Sequence, residues 1–261
     1  MGGMHSTQRE QAAQLVLDLD LDCFVKGIAI CRSDECDRLD DSGYPPWSDN
    51  DFRHFLESQC GLCKSKRKPG RIFEHHWDTY SFWQKLISSG RLRAPFEVIH
   101  VDAHSDLDYG EYSWEYLTTK YLAKPPEERR LVVTPRNGLI TTGNWFAIAN
   151  RWICGLTFVH HRTWPDHPDN NDLPDYYFKD YDKSSGIIKM PHLDPEQPND
   201  AEIENWPIIH YEPEIPFCKM SVNDYAERRS FDFVSLSKSP PFTPASADRL
   251  VEIFREYIRE V

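Results

Sequence analysis

The segment Val98-Ile-His-Val-Asp-Ala-His-Ser-Asp106 constrains this chain more than any other. Its apolar start reads as a buried strand, and it ends on an Asp, a His and an Asp spaced by two. In an extended segment, positions i, i+2 and i+4 point to one side, so the spacing predicts that Asp102, His104 and Asp106 converge just past the strand. Two carboxylates and an imidazole suit a hard or borderline divalent ion such as Mn²⁺, Fe²⁺ or Zn²⁺. The carboxyl end of a strand is also where α/β folds place their sites. A polar strand end with His104 hydrogen-bonded locally is the alternative reading.

A second acidic strip lies upstream. Leu15-Val-Leu-Asp-Leu-Asp-Leu-Asp22 alternates strictly, which puts Asp18, Asp20 and Asp22 on one face and Leu17, Leu19 and Leu21 on the other. Three like charges on a buried strand face cannot stay ionised without a partner, and a metal ion is an economical one. An amphipathic edge strand with its Asp face in water is the alternative. Two acidic strand ends in one chain are what a two-metal site needs. A third candidate ligand lies in Arg71-Ile-Phe-Glu-His-His-Trp77. Adjacent residues of an extended segment face opposite ways, so only one of His75 and His76 is expected to be a ligand. His75, which shares its face with Phe73, is the expected one, and His76 the structural one.

Periodicity along the chain predicts strands over 15–22, 71–74, 96–102, 156–160 and 231–236, and helices over 50–59, 77–89 and 144–154. Thr243-Pro244 then caps a final helix, with Leu250, Ile253, Phe254, Tyr257, Ile258 and Val261 as one apolar stripe. Strands alternating with helices imply a layered α/β fold with a mostly parallel sheet. A chain of 261 residues fits one domain, 1–261, with residues 1–12 expected to be disordered. Residues 162–204, rich in Pro, Asp and Asn, read as a long irregular insertion.

The formal net charge of −12 argues against nucleic acid or an anionic membrane as partner, since Lys and Arg gather only at Lys64–Lys68. No apolar run approaches a membrane span, and MGGMHSTQRE lacks a signal peptide's apolar stretch, so the expected location is cytoplasmic. Seven cysteines, an odd number with no secretory signal, read as thiols. Cys31 and Cys36 with Cys60 and Cys63 can also make a four-thiolate structural zinc site that pins the 26–70 segment.

With these residues in view, a resemblance emerges. VIHVDAHSDL resembles the DAHxD motif of the arginase, agmatinase and histone-deacetylase superfamily, and LDLDLDCF resembles its SxDxD strand with Asp18 in the Ser position. Glu74-His-His76 stands in for the GGDHS motif that supplies a His. With Gly143-Asn-Trp145 and the segment from Phe233 to Asp248, the set resembles uncharacterised protein family 0489, whose members look arginase-like. The resemblance implies a three-layer α/β/α fold, with the DxD strand at the N-terminus rather than after DAHxD. It implies metal ligation by Asp20, Asp22, His75, Asp102, His104 and Asp106, with Asp102 and Asp20 bridging two Mn²⁺ ions, Zn²⁺ or Fe²⁺ being alternatives. The late strand around Phe231–Ser239 departs from the family, because it lacks the Glu with which arginases hold a guanidinium.

These expectations describe a metal-dependent hydrolase of a carbon–nitrogen bond, guanidino or amide, in a small molecule, acting through a hydroxide that bridges the ions. Asp106 would orient that hydroxide and pass its proton on, while His160 or His161, ending the strand Leu156–His160, would carry a proton to the leaving amine. Asn144 and Trp145 are expected to line the substrate pocket. A metal-dependent phosphoesterase is one alternative, although no Gly-rich nest or Arg/Lys clamp flanks the carboxylates. A non-catalytic, metal-stabilised binding module is the other.

Overall fold

A computed structural model describes residues 12–261 except 31, 33–34, 108–114, 126–127, 129–142, 165–172, 174, 195 and 197–204. Ten strands form, in chain order: β1 (Leu15–Asp20), β2 (Lys68–Phe73), β3 (Phe96–Asp102), β4 (Ile153–His160), β5 (Ile187–Ile188), β6 (Pro191–Leu193), β7 (Ile208–Tyr211), β8 (Ile215–Ser221), β9 (Phe233–Ser237) and β10 (Ile258–Glu260). Eight of them make one sheet, in the order β10-β2-β9-β1-β3-β4-β8-β5, and β6 and β7 pair separately. Within the large sheet every pairing is parallel except β5 with β8. The chain leaves β1 to build β2 on one side and returns to build β3 on the other, so the strand order reverses beside β1. Such a reversal opens a crevice at the carboxyl ends of the central strands.

Among the described residues the two faces are covered by α1 (Asp49–His54), continued by a wider turn over Phe55–Gln59, α2 (Asp78–Ser88) and α3 (Asp248–Arg255). Ser48 starts α1, its Oγ accepting from the Asp51 amide at 3.1 Å. Strand alternation sorts the apolar residues into two cores. Val16, Phe96, Val98, Leu156 and Phe233 pack with Tyr80, Phe82, Trp83 and Leu86 of α2 on one face. Leu17, Leu19, Ile99, Val101, Val234 and Leu236 pack with Phe52, Phe55, Leu250 and Phe254 on the other.

Several boundaries differ from the sequence expectation, each for a local reason. β1 stops at Asp20 rather than Asp22, because the Asp20 side chain accepts the Asp22 amide at 2.9 Å and caps a 3-10 turn over Leu21–Phe24. The helix expected over 144–154 is a 3-10 helix, Trp145–Trp152, and β4 begins at Ile153. The C-terminal stripe divides: α3 ends at Arg255, and Ile258–Glu260 leave it to pair with β2. β8 was not foreseen, since it is only partly buried near the sheet edge and lacks an apolar signature. The described part of 162–204 is not irregular throughout but holds 3-10 turns and the strands β5 and β6. Residues 1–11 of the expected disordered segment lie outside the described residues. Among the described residues no helix is long and apolar enough to cross a membrane.

Candidate metal centre

The register of the three central strands builds the floor of the site. Asp18 of β1 stands opposite His100 of β3 on one side and Ser235 of β9 on the other, and Asp20 stands opposite Ser237. With a period of two, Asp18, Asp20, His100, Asp102, Ser235 and Ser237 share one face of the sheet. Beyond the strands, turns rather than further extended chain complete the constellation. Asp102 Oδ1 accepts the His104 amide at 2.7 Å, folding the chain back. Asp106 then adopts a left-handed backbone, φ +52°, a conformation that costs an L-residue roughly 1–2 kcal/mol. The extended i, i+2, i+4 geometry expected for Asp102, His104 and Asp106 is therefore replaced by a strand end, a turn and a strained residue.

The choice between the two histidines is also corrected. The backbone turns after β2, so that His76 enters the site and is buried, while His75 stays half-buried and stacks on Trp77 with ring centroids 4.5 Å apart. His76 Nδ1 lies 3.0 Å from Asp20 Oδ2, 2.8 Å from Asp102 Oδ2 and 3.0 Å from Asp106 Oδ2. One ring nitrogen carries at most one proton and cannot serve three carboxylates. Neither His76 Nδ1 nor Asp102 Oδ2 has a hydrogen-bond partner of proper geometry among the described residues. Three carboxylate oxygens thus crowd around one ring nitrogen.

A second group adjoins the first. His104 Nδ1 lies 2.9 Å from Asp22 Oδ2 and 3.7 Å from Asp102 Oδ1, and Asp22 Oδ1 accepts the Ala103 amide at 3.1 Å. Asp102 thus turns one oxygen to each group. His76, Asp20 and Asp102, and separately Asp22, Asp102 and His104, each present donor atoms close enough to hold a metal ion. Two donors each about 2.1 Å from one ion lie no more than ~4.2 Å apart, and the separations above fit. The second shell fits as well. His76 Nε2 donates to Asp18 Oδ2 at 2.9 Å, and His104 Nε2 donates to the Ala29 carbonyl at 2.9 Å. A metal-ligating histidine gives its other N–H to just such a carboxylate or carbonyl. Trp145 Nε1–H donates to Asp106 and Ser239 Oγ–H to Asp20.

The electrostatics show how tightly the buried carboxylates and imidazoles are coupled. Asp20 and Asp22 are pushed above the usual carboxylate range, first by burial and then by Asp22 and Asp102 respectively. Burial pushes His76 down, yet Asp18, Asp106 and Asp20 outweigh it and hold the ring well above its ordinary value. Burial likewise opposes the charge on His104, and Asp22 and Asp102 overcome it. Asp18 differs: burial raises it, but His76 and His100 hold it well below the usual range. It is the satisfied member, accepting from both rings and from Ser235 (2.8 Å) and Thr79 (3.3 Å). Among the described residues no Lys or Arg forms an ion pair with any of these aspartates, whose partners are all histidines.

The remaining expected residues are placed as follows. Trp145 is fully buried, its ring 5.2 Å from His76, so it supports Asp106 from within the core. Asn144 is buried and precedes the 3-10 helix without a side-chain cap bond. His160 stands opposite Asp102 in the sheet and donates from Nδ1 to the His161 carbonyl at 2.9 Å. His161 is structural: Nε2 donates to the Val25 carbonyl at 2.8 Å, Nδ1 accepts the Thr163 amide at 3.2 Å, and burial above all lowers its pKa to about 4. The thiolate zinc site does not form from the described cysteines. Cys60 is buried in the α1–α3 core, Cys63 is exposed, and no described cysteine joins a group that could hold a metal, while Cys31 lies outside the described residues.

Sequence reading overlooked His100, the buffering role of Asp18, and the hydroxyls of Thr79, Ser235 and Ser239. The signal was present for the first two: His100 precedes Asp102, and Asp18 precedes Asp20, by one more step of the same alternation. Compared with known proteins, the chain matches no protein-family model, no curated protein and no solved structure.

Proposed function

We propose that this chain is a metal-dependent hydrolase of a carbon–nitrogen bond, guanidino or amide, in a small molecule. The observation that carries the reading is the convergence of Asp20, Asp102 and Asp106 on His76 Nδ1 inside a buried site. Two divalent ions would be held, Mn²⁺ being favoured by the carboxylate-rich donor set: one by His76, Asp20 and Asp102, with Asp106 beside His76, the other by His104, Asp22 and Asp102. The parallel sheet is compatible with an arginase-like arrangement in which the DxD strand is delivered first as β1, since such a sheet needs only a strand's position and direction.

Bound divalent ions supply hydroxide at neutral pH, by lowering the pKa of water to about 7, and polarise the bond under attack. The chain's own residues do the rest. Asp106 Oδ2 is fixed by Trp145, which leaves Oδ1 to orient water and take its proton. His160, one strand over from Asp102, carries a proton at Nε2 to the leaving amine, its Nδ1–H being engaged with the His161 carbonyl. His104 is the most accessible of the group, its side chain 25% exposed, and marks the side from which substrate approaches. β9 offers Ser235 and Ser237 on the site's face and no Glu to hold a guanidinium, which favours an uncharged or substituted group over arginine itself.

Protein loaded with Mn²⁺ or Zn²⁺ is assayed against pooled guanidino compounds, acetylated polyamines and phosphomonoesters. Release of urea or amine that disappears in Asp106→Asn is the expected result. Phosphate release moves the protein to the phosphoesterases, inertness of fully metallated protein makes it a binding module, and failure to take up metal overturns the reading.

A further inference from the structure

We propose that His100 is a third imidazole ligand of this centre, donating through Nε2 to an ion shared with Asp102 and Asp106; the inference rests on the metal-centre reading above. His100 is wholly buried, and its orientation is imposed from several sides. Nδ1 donates to Asp18 Oδ2 at 3.0 Å, the oxygen that also accepts from His76 Nε2 at 2.9 Å. One carboxylate oxygen therefore anchors two imidazoles, and each turns its opposite nitrogen toward Asp102. The rings lie side by side, centroids 5.2 Å apart and 19° from parallel, with Phe146 and Phe158 packed against His100 at 4.9 and 5.8 Å.

The consequence is an unanswered donor atom in the core. His100 Nε2 is buried with no hydrogen-bond partner among the described residues, and so is Asp102 Oδ2, 3.5 Å away. A buried, unpaired polar atom is expensive, of order 1–3 kcal/mol, and asks for an explanation. A proton shared between the two lacks the geometry, whereas an ion does not. His100 Nε2 and oxygens of Asp102 and Asp106 present donor atoms close enough together for one ion, and Asp102 Oδ2 is the atom this group shares with His76. The centre would then have two imidazoles tied to one buried carboxylate, which fixes both rings before metal arrives.

Co²⁺-loaded protein tests this directly by proton NMR. Each ligated ring whose other nitrogen carries a hydrogen-bonded proton gives one hyperfine-shifted, exchangeable signal. The three expected protons are those on His76 Nε2, His104 Nε2 and His100 Nδ1, so the wild type shows three signals, assigned with ¹⁵N-histidine. In His100→Asn the amide can still donate to Asp18 but offers no donor at the Nε2 position; two signals remain, and metal affinity measured against a chelator falls at least about tenfold. Asp18→Asn loosens both rings and lowers affinity by about 10–100-fold. Two signals in wild-type protein, or unchanged affinity in a folded His100→Asn, overturns the inference while leaving the centre intact. Failure of the wild type to bind Co²⁺, Mn²⁺ or Zn²⁺ overturns both. If His100→Asn does not fold, the wild-type signal count decides alone.

Discussion

The two faces of β1, β3 and β9 are made by the same strands in the same register, yet they are physically opposite. One presents Leu17, Leu19, Ile99, Val101, Val234 and Leu236 to α1 and α3. Each such side chain contributes about 1.5–3 kcal/mol by leaving water. The other presents Asp18, Asp20, His100, Asp102, Ser235 and Ser237, all buried, beneath an aromatic layer that includes Trp83, Trp145 and Phe146. Burying carboxylates this way is unfavourable unless something positive joins them. A period of two thus lets one strand anchor the fold with alternate residues and present ligands with the rest. Stability and chemistry are separated by a single residue step.

The comparison breaks most visibly at its two extremes. Leu19→Ala opens a cavity in the aliphatic face and is expected to lower stability by about 2–5 kcal/mol, equally with and without metal, while metal uptake survives. Asp102→Asn should do the reverse. It removes the carboxylate common to both groups, so the metal-dependent gain, about 3–4 kcal/mol when free ion exceeds Kd by 100- to 1,000-fold, vanishes. Without metal the variant is no less stable than the wild type, because one crowded negative charge is gone. Urea titrations in Mn²⁺ and in chelator decide it; equal losses in both buffers for Asp102→Asn contradict the division of labour.

The supports of the acidic face come next. Trp145→Phe removes the donor to Asp106 and leaves the core ring, so it should cost about 1.5–3 kcal/mol, the usual worth of a hydrogen bond to a charged group, and lower metal affinity about tenfold. An unchanged chelator competition curve would show Asp106 to be held by the backbone alone.

Acid sharpens the contrast through a histidine outside the centre. His161 is neutral in the fold, its pKa lowered to about 4 mainly by burial against an unfolded value near 6.5. A lowered histidine pKa means the unfolded chain binds the proton first, so stability rises with pH across this window. The contribution is complete above about pH 6.5 and lost as pH falls toward 4. Stability of metal-free protein measured by denaturant between those values should decline less in His161→Gln than in the wild type; parallel curves would remove His161 as the cause.

Much of this was legible beforehand, and the misses have a pattern. Strict alternation identified β1 with its buried leucines, an apolar run identified β3, and the spacing by two at their ends placed Asp20, Asp22, Asp102, His104 and Asp106 in one region, because period two survives whatever the neighbours do. What alternation cannot show is where a strand stops. Asp22 and Asp106 reach the site through a capped 3-10 turn and a left-handed residue, which are set by side-chain hydrogen bonds and tertiary crowding. The late strand β10 hid inside a helical stripe, since Tyr257 and Ile258 are buried whether the chain coils or extends. His100 was legible as apolar-run filler only until β9 and β1 put Asp18 against it.

The smallest expected effect tests the sharpest of those errors. His75 and His76 are adjacent and chemically identical, and only the turn after β2 separates them. His76 is buried, within 3.0 Å of three aspartates through Nδ1 and of Asp18 through Nε2, whereas His75 stacks on Trp77 at the margin. His76→Ala should therefore abolish binding of the first ion. His75→Ala loses a partly exposed ring stack on Trp77, worth about 0.5–1.5 kcal/mol, and should leave metal affinity within twofold of the wild type. Chelator competition on the two alanine variants side by side is the measurement. A His75→Ala protein that loses metal while His76→Ala keeps it would mean that the turn is reversed in the metal-bound state, and the donor set built on His76 would have to be redrawn around its neighbour.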